Sequence, residues 1–278
     1  MHTSQPVIGP ALAVVCIVMV AAAALVYRIA ALGSAWTVPR AALRAVAQLA
    51  AVAGVLAAAM SRLWSSALIL LVMFVVAAAT AARRSQAQRG SWWLAGSLGV
   101  GLLSVLPLLL LSGVVPVDGV AIVPMAGIVL GGTMTAVAVA ARRALDTLGL
   151  RAGEVDAALS LGFTDRDGRM EVIGLSAADA LLPNLDQTRT VGVVTLPGAF
   201  VGVLLSTGSP LQAGAVQILI LLALLLSQTC AVATTIELIA RGVISRDSEP
   251  SQFSGASRSG GILNNLKLKR HRGIRATS

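Results

Sequence analysis

Residues 211–240, LQAGAVQILILLALLLSQTCAVATTIELIA, read as one long apolar helix whose only charged side chain is Glu237. A hydrocarbon core ~30 Å thick is crossed by about 20 apolar residues in a helix, and this run exceeds that. A helix apolar on every side belongs in a protein core or in lipid. The composition decides which. The chain is 56% hydrophobic and 12% charged, against roughly 25% charged in soluble domains, and its mean hydropathy is +0.86. It lacks the residues to build a polar surface. The fold class is all-α, a polytopic membrane protein.

Six further apolar stretches precede this one, at roughly 7–31, 42–60, 64–82, 92–113, 119–141 and 189–207. Together they predict about seven transmembrane helices, with the termini on opposite sides. The first stretch is read as a retained helix, because Met1–Pro6 has no Lys or Arg and no convincing cleavage site follows. With the C-terminus in the cytoplasm, only Arg62 of the 21 Lys and Arg residues falls outside. That asymmetry sets the orientation, so the N-terminus is expected outside. It also accounts for the net charge of +9 without nucleic acid, which is not expected as a partner.

The membrane domain is therefore expected over 1–245, with a cytoplasmic loop at about 142–188. Residues 246–278 turn to Ser, Gly, Asn and basic residues, which predicts a disordered basic cytoplasmic tail. Its cluster Lys267–Arg272 can meet anionic lipid headgroups or simply stay solvated. Cys16 and Cys230 sit in apolar runs, and His2 and His271 sit near the chain ends. No zinc-ligand spacing arises from them.

The loop 142–188 is the only long polar segment between spans. Within it, GEVDAALSLG (153–162) can form about two helical turns. Glu154 and Asp156 lie near the start, where acidic charge suits the helix dipole. Ala157, Ala158 and Leu161 supply small and apolar contacts, and Gly162 can take the left-handed conformation that ends a helix. The segment is either a stub that transmits a push from a soluble domain or an amphipathic helix lying on the bilayer.

Asp156–Gly162, DAALSLG, resembles the cytoplasmic coupling segment of ABC-transporter permeases, Glu-Ala-Ala-three residues-Gly. The context is more specific. Leu182-Pro183, the run TVGVVTLPGAFVG (190–202), Ser209-Pro210 and Gln217 resemble the FetB-like family of metal-export ABC permeases. Arg44 with Gln48-Leu49 and Gly54 is similar to an early Arg-x-x-x-Gln-Leu helix of that family. Val123-Pro124-Met125-Ala126-Gly127, with Gly131 and Met134, is similar to its central helix. The resemblance covers about 40–240. The chain departs from it at Gly132, where Asn is expected, at Asp156, where Glu is usual, and after Arg241.

The resemblance implies a permease subunit of an ABC transporter in the cell inner membrane, multi-pass, exporting a metal ion, with iron as the family's substrate. It implies ATPase coupling through Glu154, Asp156, Ala157, Ala158, Leu161 and Gly162. It also implies two partners: a cytosolic ABC ATPase and a second copy of the permease. The chain has no Gly-x-x-x-x-Gly-Lys-Ser/Thr string. No cofactor is therefore expected in the chain itself, which is not read as an enzyme; ATP and Mg would be bound by the partner.

The residues support a translocation path independently of the family. Pro124 and Pro197 fall within apolar stretches, where proline kinks a helix. Gly127, Gly192 and Gly198 allow close helix approach, as plain membrane packing also would. Gln48 and Gln217 sit in apolar helices without a charged partner, and buried polar groups there are costly. Glu237 and Arg241 are spaced as an i,i+4 pair, and Asp186 and Arg189 as an i,i+3 pair. Met73, Met125 and Met134 are the mid-span soft ligands, and no metal site can be assembled from sequence neighbours. The rival is a stand-alone secondary transporter or channel, which predicts paired intramembrane charges or an inverted repeat.

Overall fold

The structure, a computed structural model, describes residues 9–59, 63–116 and 118–246. Among the described residues ten α-helices follow in order: α1 (Pro10–Ile29), α2 (Thr37–Ala59), α3 (Leu63–Ser85), α4 (Trp93–Leu111), α5 (Gly119–Leu150), α6 (Ala152–Ser160), α7 (Asp165–Ala178), α8 (Leu182–Thr190), α9 (Gly198–Thr207) and α10 (Pro210–Ala240). One turn of 3-10 helix, Asp179–Leu181, joins α7 to α8. The chain is a polytopic all-α membrane protein. Five helices among the described residues are long and apolar enough to cross a membrane: Pro10–Ile29, Trp64–Ser85, Trp93–Leu111, Ala121–Leu150 and Pro210–Ala240. α2, with 23 residues, has a comparable length.

The expected sixth span, 189–207, is not one helix. α8 ends at Thr190, a turn occupies 191–197, and α9 runs for 10 residues, about 15 Å at 1.5 Å per residue. Pro197 therefore does not kink a helix as expected. It is the N-cap of α9, with extended backbone at φ −66° and ψ 154°. The physical reason lies upstream. Gly192 at φ +81° turns the chain, and its N–H donates to the Thr195 carbonyl at 2.9 Å. The Thr190 carbonyl accepts from Val193 and Val194 at 3.2 and 3.0 Å. The turn satisfies its own backbone, so the helix need not continue.

α5 is longer than its apolar stretch, with 32 residues, about 48 Å. Its last turns leave the apolar zone and carry Arg142, Arg143 and Asp146. α10 has 31 residues and packs against α4, α5, α7 and α9. α3 packs on α5 and α4, and α1 packs on α2. No described residue of α1 is buried.

The main core joins membrane helices to loop helices. Ala81, Leu94, Val137, Ile173, Val232 and Ile239 all belong to one buried cluster. Alanines on α5 (Ala136, Ala140, Ala141, Ala144) are buried and let α5 approach its neighbours closely. A smaller cluster, centred on Val105, Leu109 and Val129, lies toward the other end.

The segment after α10 closes the α6–α8 end. Arg89 and Ser245 form an isolated antiparallel bridge, with N–H···O distances of 3.0 and 3.2 Å. Gly90, at φ +68°, makes this possible, since a Cβ there would lie 1.9 Å from the Val243 carbonyl oxygen. Arg246, the first residue of the expected tail, belongs to the folded part. Its guanidinium reaches the Asp146 carboxylate and the carbonyl oxygens of Ser85 and Gln86, the latter two at 3.3 and 3.1 Å. The remaining tail residues, 247–278, lie outside the described residues, as do Arg62 and the first eight residues.

Candidate functional site

The loop between α5 and α9 builds a platform with one protruding helix. α5 stops at Leu150. Arg151 alone, at φ −116° and ψ 30°, separates it from α6. The Arg151 carbonyl accepts from the Glu154 N–H at 3.0 Å, and its guanidinium lies 3.6 Å from the Glu154 carboxylate. α6 thus starts with its acidic group at the N-terminal turn, as the helix dipole favours.

α6 ends as its sequence predicts. Gly162 has φ +92°, its N–H donates to the Leu159 carbonyl at 3.0 Å, and the Phe163 N–H donates to the Ala158 carbonyl at 3.1 Å. These bonds satisfy carbonyls that the helix leaves open. Glu154, Asp156 and Ala157 are exposed, and Leu161 is 80% exposed. Phe163 beside it is also exposed, while Val155, Ala158 and Leu159 are half-buried. The half-buried side meets α7, where a Cβ at Gly168 would sit 3.3 Å from the Ala158 Cβ. Of the six residues expected to couple, five are exposed and Ala158 is half-buried against α7.

α7 holds the stub to the membrane helices. Thr164 caps it, accepting from the Asp167 N–H at 3.2 Å and donating to the Asp167 carboxylate at 2.7 Å. Asp167 is pulled below the usual aspartate range by Thr164 first and by Arg166 second. Ile173 and Ala177 of α7 are buried against the core. Thr147 of α5 donates to Ser176 at 3.0 Å, and Arg143 pairs with Asp179 at 3.0 Å.

Sequence reasoning missed Arg166. Its Nε and one terminal nitrogen donate to the two oxygens of Glu237 at 2.8 and 2.7 Å, across 71 residues. Arg241 also donates to Glu237, at 2.6 Å, as the i,i+4 spacing predicts. Asp186 and Arg189 meet at 3.6 Å as their spacing predicts. No local spacing could pair Arg166 with Glu237, because the contact depends on how α7 folds back onto α10.

The seven residues expected along a path do not converge. Gln48 is exposed on α2. Pro124 sits inside α5 and lines a cleft of about 820 Å³ between α5, α9 and α10, with Met125, Ile128, Gly202 and Leu219. Gly127 faces α3, where a Cβ would lie 2.8 Å from the Met73 methyl. Gly192 shapes the turn, Pro197 caps α9 and Gly198 opens it. Gln217 is buried in α10, and its Oε1 has no hydrogen-bond partner among the described residues.

Gln217 belongs to a longer polar series on the buried face of α10, with Ser227, Gln228 and Thr235. Ser227 meets Thr133 of α5 at 2.8 Å. Gln228 lies beside Gly132, where a Cβ would be 3.0 Å from its Nε2. A side chain as large as Asn at 132 would have to displace it. Ser97 of α4 is fully buried, and its hydroxyl has no partner among the described residues. Among the described residues no three His, Cys, Asp or Glu side chains group to hold a metal.

Residues 11–244 match the model of a family described as Uncharacterised protein family (UPF0014). The chain is 33% identical over 139 residues to the UPF0014 membrane protein STAR2 of Oryza sativa subsp. japonica, covering 50% of this chain and 49% of the relative. It is 31% identical over 139 residues to Protein ALUMINUM SENSITIVE 3 of Arabidopsis thaliana, covering 50% and 51%. It is 30% identical over 135 residues to the "Probable iron export permease protein FetB" of Escherichia coli (strain K12), covering 49% and 51%. The chain thus matches about half the length of these curated relatives. No solved structure matches it.

Proposed function

The chain belongs to the UPF0014 family, and from that premise we propose that it is the membrane-spanning permease subunit of an ABC transporter that exports a metal ion. The cargo proposed is iron, on the printed name of the FetB relative. A separate cytosolic ATPase binds ATP and Mg and drives the pump. Two permeases and two ATPases form the working unit, in the cell inner membrane.

One observation carries the coupling part of this reading. α6 is a short, exposed helix joined to the longest membrane helix through a single non-helical residue, Arg151. Its exposed tip offers Leu161 and Phe163 as apolar contacts, beside the carboxylates of Glu154 and Asp156. A cleft on an ATPase could take that tip. Because Gly162 and α7 fix it from behind, a push on α6 passes into α5 rather than into a floppy loop.

The charge distribution supports placing this end in the cytoplasm. Arg142, Arg143, Arg151 and Arg166 lie on the α6–α7 platform or beside it, and Arg246 packs onto Asp146 there. Positive residues concentrate on the cytoplasmic side of membrane proteins. In operation, closure of the ATPase dimer moves α6, α5 follows, and the cleft beside Pro124 changes shape. The bend expected of α5 at Pro124, and the break at 191–197, are the places where the helices can repack.

The test is co-purification. The permease and a cytosolic ABC ATPase from the same organism should form a complex, and replacing Leu161 with Asp should weaken it at least about tenfold by placing a charge in the docking contact. Binding unaffected by Leu161→Asp, at unchanged permease folding, removes α6 as the docking element.

A further inference from the structure

We propose that Arg166 and Glu237 are positioning residues that carry the ATPase stroke from the stub into α10, a role resting on the reading of α6 as the docking stub. α5 needs no such device, since it runs into α6 through Arg151. α10 is joined to the stub along the chain only through α7, α8, the 191–197 turn and α9. The ion pair between α7 and α10, 71 residues apart in sequence, supplies a direct non-covalent link.

The geometry is that of a rigid joint. Thr164 holds Asp167 at 2.7 Å, Asp167 holds Arg166 at 2.7 Å, Arg166 forks onto both oxygens of Glu237, and Arg241 closes the chain at 2.6 Å. The series starts two residues after Gly162 and ends just past the last turn of α10. A bidentate guanidinium–carboxylate pair fixes both distance and angle, which a lysine or a single hydrogen bond does not. The buried apolar side chains of α7, Ile173 and Ala177, lie further along the helix. The fork therefore sets the angle of the end nearest the stub. Arg169, one turn on, lies against Gly242, where a Cβ would be 3.0 Å from its guanidinium.

The side chains of Arg166 and Glu237 are 45% and 28% exposed. An isolated pair so exposed contributes little to folding, and a bidentate pair in a network contributes modestly more. What the network provides is direction. α10 also forms the floor of the apolar cleft, through Val216, Leu219 and Leu222, while α5 and α9 form its walls. A displacement of α10 relative to α9 is therefore readable at Val216.

The experiment uses the full chain with its ATPase in lipid vesicles, with Cys16 and Cys230 replaced by Ala and Val216→Cys as the reporter. Thiol labelling is followed with and without ATP, alongside ATP hydrolysis. In the otherwise unchanged chain, ATP shifts the labelling rate. In Arg166→Ala and Glu237→Gln, hydrolysis continues while the ATP-dependent shift falls at least about fivefold, the low end of ordinary coupling between sites. The double variant is no worse than either single one, because both remove the same joint. Arg166→Lys falls between, keeping the charge and losing the fork, and it carries the test if Arg166→Ala does not fold. Single variants that keep the full shift overturn the proposal, as do losses that multiply in the double variant. A reporter that ignores ATP overturns the joint even where the ATPase binds. Failure of the ATPase to bind at all overturns the stub reading as well.

Discussion

The hydroxyls of Thr133 and Ser227 lie 2.8 Å apart, fully buried between α5 and α10. Each hydroxyl has the other as its hydrogen-bond partner. Thr133→Val leaves Ser227 in place without this partner, whereas Thr133→Val with Ser227→Ala removes both polar groups. Interhelical hydrogen bonds in membranes couple by about 0.6 kcal/mol on average and up to about 1.7. The expected coupling energy is within that range, with the double variant closer to the parent than the sum of the single losses. Thermal melting of the purified protein measures it; strict additivity would mean that the two hydroxyls do not cooperate.

The α4–α10 and α5–α10 contacts make different demands on three glycines. A Cβ at Gly101 would lie 2.7 Å from the backbone oxygen of Ser227, which cannot move aside. At Gly132 the nearest atom, 2.5 Å away, is the end of the Leu224 side chain, which can rotate. At Gly131 there is nothing within 4 Å. Gly101→Ala should therefore cost about 1–3 kcal/mol as overpacking, and Gly132→Ala should cost less. Gly131→Ala should be neutral or stabilising by up to about 1 kcal/mol, since alanine favours helix. A melting series in which Gly131→Ala is the worst of the three would refute this packing.

Gly162 is constrained by its backbone and not by space. Its φ is +92°, and no atom lies within 4 Å of where its Cβ would be. Left-handed backbone costs ordinary residues about 1–2 kcal/mol and asparagine less. Gly162→Asn should keep most ATPase affinity and Gly162→Val should lose it, with α6 amides exchanging faster in the valine variant. Equal effects of the two would point to crowding instead.

Gln217 separates stability from function. Its buried Oε1 lacks a hydrogen-bond partner among the described residues, and such a group costs about 1–3 kcal/mol. Gln217→Leu should melt at or above the parent temperature. If the amide serves the path, transport falls in the same variant. A less stable variant would make Gln217 a structural residue, and a stable one with full transport would remove its amide from the path.

Much of the fold was legible because apolar length alone dictates a membrane helix. The long helices ending at Ile29, Leu111 and Ala240 follow their apolar runs closely. The ends that deviated are those where polar sequence continues a helix or a turn interrupts one. α5 runs on to Leu150 because Arg142, Arg143 and Asp146 are good or tolerated helix residues, with partners within α5, on the 3-10 turn and on the segment after α10. The sixth stretch broke at Gly192 because its turn closes its own hydrogen bonds, which hydropathy cannot register. In the site, the left-handed Gly162 was readable from a local rule. Arg166 on Glu237 and Ser227 on Thr133 were not, because each pair is brought together only by helix packing.

In the proposed function an ATPase acting on α6 drives transport, and flux measured in vesicles with defined components is the test. The permease and the ATPase that co-purifies with it are reconstituted together, iron is loaded, and its movement is followed with ATP, without ATP, and without the ATPase. Iron movement that requires both ATP and the ATPase, and that Gly162→Val abolishes, is the predicted result. Iron movement that proceeds with the permease alone under an ion gradient, indifferent to ATP, would contradict it and make the chain a secondary transporter.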